Sequence, residues 1–490
     1  MNFKFSIFLF AVLIVLFSCR KEEQIYNSSS AQLQFSTDSI SFDTVFTSIG
    51  TSTEFFMVYN PYKETVNISN IKLRGGDQST FRVNVDGRSG SNFNNIEIAP
   101  KDSIFIFVEA TIDPNNQSNP FVIDDEMVFT TNGNRQEVKL VAWGQNAIYY
   151  TPQYFVRGLP NYSCLTGPCG DELPPVDMHW TDSLPIVIYG YVVIDSLDKL
   201  TIEKGTRIHF HNNAGLWVFR DGSLTVNGTK EEPVTFQGDR LDPHYADQPG
   251  QWDRIWINEG AINSINYAVI KNAFIGIQAE ASPFSDPPFD ASQLNLKNTI
   301  IHNSSSVGLL SSAFNIQAEN LLISNSGDHS VVLRSAGNYS FIHCTFANYF
   351  KFAGRETPSF LIQNAYTTAT GVQLIGIPSV KVYNSIIDGS LKDEFDVEII
   401  NNGSVDLDFQ NNLMKTKYNT SNTSEFKDII KNPNTQIFED ISEDDFTLKE
   451  NSPAIDKGNL SFGNLVPIDI EGNNRTTDGK PDLGVYEYQP

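Results

Sequence analysis

Apolar residues in this chain come in short runs parted by turn residues, and the spacing of the runs changes twice. Residues 32–147 carry LQFSTDSISFDTVF, TEFFMVYNPYKETVNISNIKL, SIFIFVEATIDP and DEMVFTTNGNRQEVKLVAWG, each of which reads as strand. Val66 and Ile68 interleave with Asn67 and Ser69, the period-two pattern of a half-buried strand. Ile104 to Val108 is apolar at every position, which predicts a strand buried on both faces. Asn132-Gly133, set between Val128-Phe129-Thr130 and the run from Glu137 to Val141, predicts a tight hairpin. Residues 148–185 lose the pattern. Pro152, Pro160, Pro168, Pro174, Pro175 and Pro185 disfavour helix and central strand, so this stretch is expected to be a linker.

From Ile186 onward, short β-rich runs alternate with Gly, Asn and Asp. Five six-residue words, YAVIKN, NTIIHN, NLLISN, HCTFAN and NSIIDG, close on Asn272, Asn303, Asn325, Asn348 and Gly389. Their offsets of 31, 22, 23 and 41 predict a solenoid with coils of about 22 residues and loops inserted in the longer ones. The insertions begin at Ser282 and Lys351. Asn suits a repeated turn because it tolerates left-handed backbone and can stack on its copy in the next coil.

LTIEKGTRIHF and GSLTVNGTKEEPVTF are similar to the opening coils of right-handed parallel β-helix proteins of the pectate-lyase-like fold. The C-terminal NSPAIDKGNL and VPIDIEGNNRTTDGKPDLGVYEY resemble a closing segment common in bacterial β-helix proteins, with Val485 where that pattern has Ala. Residues 32–147, with regular strands and the "VYNP" turn, resemble the Hydin-like and "choice-of-anchor" sandwich domains. An immunoglobulin-like β-sandwich is the expected fold there. The fold class is thus all-β: a sandwich over 32–147, a linker over 148–185, a right-handed parallel β-helix over 186–440 and a C-terminal cap over 441–490.

The N-terminus decides the compartment. Lys4 precedes an apolar run from Phe5 to Phe17, too short to span a bilayer but suited to a signal peptide over residues 1–18. Leu16-Phe17-Ser18-Cys19 resembles the bacterial lipobox, which implies cleavage before Cys19 and lipid on its thiol. Arg20 replaces the Asp associated with inner-membrane retention, and Lys21-Glu22-Glu23 resembles a surface-export tag. The resemblance implies an outer-membrane lipoprotein facing outward. Residues 19–31 are expected to be a lipid-anchored tether and the sandwich a spacer.

Composition narrows the role. With 34 Lys and Arg against 58 Asp and Glu, the net charge is −24 over 490 residues, enough chain for two to four domains. That balance excludes nucleic acid as a partner and argues against electrostatic docking to anionic lipid. A membrane link is therefore expected through the N-terminal lipid alone. Export permits disulfides, and Cys164 and Cys169, parted by Gly167-Pro168, are the expected pair. Zinc is the discounted alternative, since no second Cys or His pair lies close by. Cys344, among apolar neighbours, is expected to be a buried thiol.

Candidate chemistry concentrates in residues 238–260, GDRLDPHYADQPGQWDRIWINEG. Polysaccharide lyases on the resembled fold use Asp-held Ca²⁺ and a basic residue, and hydrolases use paired carboxylates. Asp239, Arg240, Asp242 and His244 are the catalytic candidates, with Asp247 and Asp253 nearby. Tyr245, Trp252, Arg254 and Trp256 are the ligand-binding candidates, since aromatic rings stack on sugars. The alternative is a structural loop pinned to the solenoid by Asp–Arg pairs. Neither the clustered Asp-Asp with Gly-His of polygalacturonases nor the Arg-x-Pro-x-x-Arg of pectate lyases is present. The expectation is therefore a non-catalytic protein that binds a polysaccharide or other envelope component. A Ca²⁺-dependent lyase, a glycoside hydrolase and a purely structural envelope protein are the alternatives.

His209 and His211 share one side of a strand and are expected to be surface or stacked histidines rather than a metal pair. Counted from Asp469, Gly472 is fourth, so the C-terminal Asp-rich loop fails the EF-hand register. Asp469, Arg475 and Glu487 are instead expected to form salt bridges closing the last coil.

Overall fold

The computed structural model describes residues 24–47, 50–51, 53–112, 121–169, 174–242, 245–259, 261–281, 293–368 and 371–489. The signal peptide, Cys19, His244 and the insertion beginning at Ser282 lie outside the described residues. The chain divides into two compact units between Asn146 and Ala147.

The first unit packs two five-stranded sheets around one core. One sheet runs in the order Gln34–Phe35, Glu54–Tyr59, Ser103–Ala110, Phe81–Val85, Arg88–Gly90. The other runs Ser39–Phe46, Asn134–Gln145, Phe121–Thr131, Val66–Leu73, Asn92–Ile98. Pairing is antiparallel except between Ser39–Phe46 and Asn134–Gln145. Phe56, Val58 and Ile106 from the first sheet meet Ile68, Phe129 and Leu140 from the second. The expected hairpin forms, with φ of 48° at Asn132 and 87° at Gly133.

Two expectations change here. Ser103–Ala110 is buried on one side only: Ile104, Ile106 and Val108 face the core, while Phe105 and Phe107 are 43% and 40% exposed. An apolar run does not distinguish a doubly buried strand from one that shows aromatics to solvent. Residues 24–31 are not a free tether either. Tyr26 stacks on Tyr62 at 3.9 Å, and Asn132 Nδ2 donates to the Tyr26 carbonyl at 2.6 Å.

The second unit is a three-faced parallel β-helix. One face is a nine-stranded sheet that includes Tyr162–Cys164, Tyr191–Ile194, Gly215–Val218, Ile255–Asn258, Ile275–Glu280, Val307–Ser312 and His329–Arg334. The other two faces join at a tight corner into a sheet of nineteen strands. Inward-facing Ile, Leu, Val and Phe from all three faces fill one continuous core.

The six-residue words lie in register. Lys271 pairs with His302, His302 with Ser324, Ser324 with Ala347 and Asn348 with Gly389, so the five closing residues form one column. Asn303 Nδ2 donates to Asn272 Oδ1 at 2.8 Å across it. Each word also opens on a left-handed residue, Tyr267, Asn298, Asn320, His343 and Asn384, with φ from 46° to 52°. This second column turns the corner between the two joined faces. Asn320 Nδ2 donates to Asn298 Oδ1 at 2.9 Å, and Asn298 Nδ2 to Asn266 Oδ1 at 3.0 Å.

The expected linker is the first coil. Ile148–Tyr150, Tyr162–Cys164 and Asp177–Trp180 each pair in parallel with a strand of the following coil. Strands of three or four residues are too short to show a period, and the prolines sit between them. Cys164 and Cys169 form the expected disulfide, and Cys344 is a buried free thiol.

The C-terminal segment lies along the solenoid's flank rather than over its last coil. Asn459 exchanges hydrogen bonds with Asn384, Val485 N donates to Thr345 Oγ1 at 3.1 Å, and Lys230 Nζ bonds the Glu471 carbonyl. Fully buried Arg475 reaches Glu487 at 3.5 Å and donates to Asn320 Oδ1 at 2.9 Å. Asp469 forms no ion pair within 4 Å among the described residues; it accepts from the backbone of Asn473 and Glu487 at 2.6 and 2.9 Å.

Candidate functional site

The stretch 238–260 leaves one solenoid face and enters the next, and the structure separates its candidate residues into three environments. The loop end holds Asp239, whose carboxylate accepts from His211 Nδ1 at 2.7 Å. That bond raises the His211 pKa. His211 also stacks on Tyr189 at 4.4 Å. Arg240 lies 3.1 Å above the Tyr245 ring and 3.9 Å from Asp242. The Asp239–His211 bond pins the loop to the turn of the preceding coil, while Arg240, Asp242 and Tyr245 hold one another within the loop; the pin is an Asp–His contact rather than the expected Asp–Arg pair.

Trp252 belongs to the second environment, the core. It is 1% exposed, stacks on Phe210 at 4.2 Å with an interplanar angle of 9°, and donates from Nε1 to the Lys271 carbonyl at 2.8 Å. A ring enclosed in this way cannot stack on a ligand, so Trp252 is not a ligand-binding residue.

The third environment is the outer side of the nine-stranded sheet. Residue pairing places Val193, Trp217, Trp256 and Gln278 in one row across successive coils. Trp217 and Trp256 stack at 4.7 Å with 13° between planes. Trp217 Nε1 donates to buried Asn258 Oδ1 at 2.5 Å, and Trp256 Nε1 to Glu280 Oε1 at 2.8 Å. Arg254 holds Asp253 through two N–H groups at 2.8 and 2.9 Å and also bonds Gln278 Oε1. Tyr191 donates its hydroxyl to Asp253. Glu280 lies in the row that continues through Ser312 to Arg334, which donates to Ser312 Oγ at 2.6 Å and sits 4.2 Å above the Tyr366 ring.

Burial pushes the Glu280 carboxyl above its usual range, against the Trp256 and Gln278 hydrogen bonds. Burial and the neighbouring Asp253 charge raise the Tyr191 hydroxyl. Trp217, Gln278, Glu280 and Tyr191 are buried and Trp256 and Arg254 half-buried, so the two that reach solvent are fixed from beneath before any ligand arrives. Tyr191, Trp217, Gln278, Glu280 and Arg334 were not singled out from sequence. The signal that places them is coil-to-coil register, which the loop before Ile255 conceals.

Among the described residues no three His, Cys, Asp or Glu side chains gather as a metal site. His209 is buried with Nδ1 3.3 Å from the Gly238 carbonyl oxygen, and burial lowers its pKa to about 4. Its unfolded value is about 6.5. The neutral ring is therefore favoured in the fold. The stability it contributes is complete above pH ~6.5 and is lost as pH falls toward 4. The unfolding free energy from urea titration is expected to fall between pH 7 and 5, by up to roughly 1.4 kcal/mol per pH unit from this residue. His209→Asn should flatten that slope; an unchanged slope would refute the assignment.

No protein-family model matches the chain, and no curated protein matches it. Among solved structures, the catalytic domain of a GH87 α-1,3-glucanase in complex with nigerose aligns over 82% of this chain and 91% of its own, at 10% identity and a TM-score of 0.18. A family 123 glycoside hydrolase from Clostridium perfringens aligns over 23% of this chain at 8% identity and a TM-score of 0.17. This chain spans about a quarter of that protein, 26%. An ASH/PapD-like domain of human CEP192 aligns over 25% of this chain and 89% of its own, at 11% identity and a TM-score of 0.16. Scores this low carry no inference about activity.

Proposed function

We propose that this is a non-catalytic glycan-binding protein of the cell envelope, with its contact surface on the outer side of the nine-stranded sheet. One observation carries the reading. The half-buried Trp256 indole, stacked on buried Trp217 and held by buried Glu280, lies near half-buried Arg254, which is held by buried Gln278, so one partly exposed indole meets a fixed guanidinium. Sugars are recognised by that combination, ring faces against indole and hydroxyls against polar groups. The envelope location rests on the lipobox-like residues around Cys19, with an outer-membrane, outward-facing anchor as the proposed state. No role is assigned to Ca²⁺.

Affinity electrophoresis of the full chain through polysaccharide-containing gels tests the reading. Trp256→Ala is expected to weaken retardation at least about tenfold, the effect of removing an aromatic hot spot. Retardation by no polysaccharide, or retardation indifferent to Trp256→Ala, would overturn it.

Glycoside hydrolysis is the second reading, favoured by the raised carboxyl of Glu280 on the same face as Asp253. In that case Glu280 would donate a proton to the leaving oxygen. New reducing ends, abolished by Glu280→Gln, would establish it over binding alone.

A further inference from the structure

The C-terminal flank segment borders a cleft that the glycan surface does not use. Its volume is about 570 Å³, within the range of small-ligand sites, about 300–1,000 Å³. Four carboxylates line it. Glu439 and Glu450 come from the hairpin of Phe438–Asp440 with Asp445–Leu448 and the turn after it, and Glu471 and Glu487 from the flank segment. Tyr486 and Tyr488, both half-buried, form part of its wall. Lys230, the cation among the lining residues, is already taken: it lies 3.4 Å from the Glu471 carboxylate and bonds the Glu471 carbonyl. Glu439 and Glu450 are exposed and have no ion pair within 4 Å among the described residues. The cleft thus carries negative charge that the chain itself does not balance.

Glu487 points to a ligand independently of that balance. Its side chain is only 10% exposed. Oε2 accepts from the Asp482 backbone at 3.1 Å and lies 3.5 Å from Arg475. Oε1 has no hydrogen-bond partner among the described residues, and it is not sealed in, so it opens on the cleft. Burial pushes this carboxyl up to about 8, so at neutral pH the empty cleft keeps a proton on it. A cation arriving at Oε1 favours the ionised form and expels that proton. A single metal ion does not fit the charge, because no three carboxylates among the described residues gather as a metal site. Ammonium groups strung on a methylene chain meet separated carboxylates one by one, and the chain lies on the tyrosine rings.

We propose that this cleft binds a linear polyamine, with ammonium groups on Glu439, Glu450 and Glu487 and methylenes against Tyr486 and Tyr488. The site shares no residue with the solenoid surface proposed for glycan, so either reading can fail without the other.

Isothermal titration of the full chain with spermidine, at near-physiological salt, tests it. One spermidine per chain is expected, with an affinity that rises by up to roughly tenfold per pH unit between pH 6 and 7.5 as binding ionises Glu487. Glu439→Gln combined with Glu450→Gln, two exposed changes that leave the fold intact, should weaken binding about tenfold. Glu487→Gln should flatten the pH dependence, and circular dichroism checks that it folds. If it does not, the pH slope of the parent and the exposed double variant still decide. No saturable binding, Ca²⁺ binding as tightly as spermidine, or a double variant with the parent's affinity would each overturn the inference. Many weak sites with no pH dependence would overturn it too, by assigning the uptake to the acidic surface as a whole.

Discussion

Arg355→Ala is expected to cost about 3–5 kcal/mol of stability, because it leaves the Glu394 carboxylate buried without its counter-charge. The two side chains are 1% and 0% exposed. Arg355 meets Glu394 through two parallel bonds of 2.6 and 2.7 Å and also donates to the Asn348 carbonyl at 2.9 Å. Glu394 accepts in addition from the backbone of Ser359 and Leu391, at 3.0 and 2.7 Å. The pair thus joins the loop after Asn348 to the turn after Gly389, one coil apart. Replacing both partners, Arg355→Met with Glu394→Leu, should recover much of the loss, since removing a buried pair costs less than breaking it. Urea midpoints of the single and double variants check this. A double variant no better than Arg355→Ala would show that the backbone hydrogen bonds, not the charge, make Glu394 essential.

Trp252→Ala is expected to cost a further-ranging loss, about 3–5 kcal/mol, through the cavity it opens beneath Phe210. The indole also leaves the Lys271 carbonyl without its donor. Chain that remains folded should bind glycan as the parent does, because Trp252 does not reach the surface. Denaturation together with affinity electrophoresis checks both halves. A stability loss under about 1 kcal/mol would contradict the core placement.

Trp252 also shows where sequence reasoning stops. GQWDRIW sets two tryptophans four residues apart in a polar, aromatic stretch, and nothing local tells them apart. Strand Ile255–Asn258 begins between them, so Trp256 points outward while Trp252 precedes the strand and packs inward. The solenoid itself was legible because one turn recurs with a recognisable residue, and the words ending at Asn272 through Gly389 align in space as they do in sequence. The corner column was present in the same words but carried by Tyr, Asn and His, a mixture united by backbone angle rather than by residue type. The candidate surface depends on partners from separate coils, such as Trp217 and Trp256, and the loop between them destroys the regular offset. Ile104 to Val108 failed for another reason: hydrophobicity reports what a residue could bury, not what is there to cover it.

The flank segment changes how the solenoid assembles. A repeat protein with only neighbour contacts can grow and melt one coil at a time. Here the last residues of the chain reach Asn384, Thr345, Asn320 and Lys230, contacts that span up to 241 positions. Coils made early therefore wait for residues 459–485 before their corner is covered, and a length of chain stitched backward across them couples their fates. Folding that starts locally finishes only when the final segment closes over the rows already laid down.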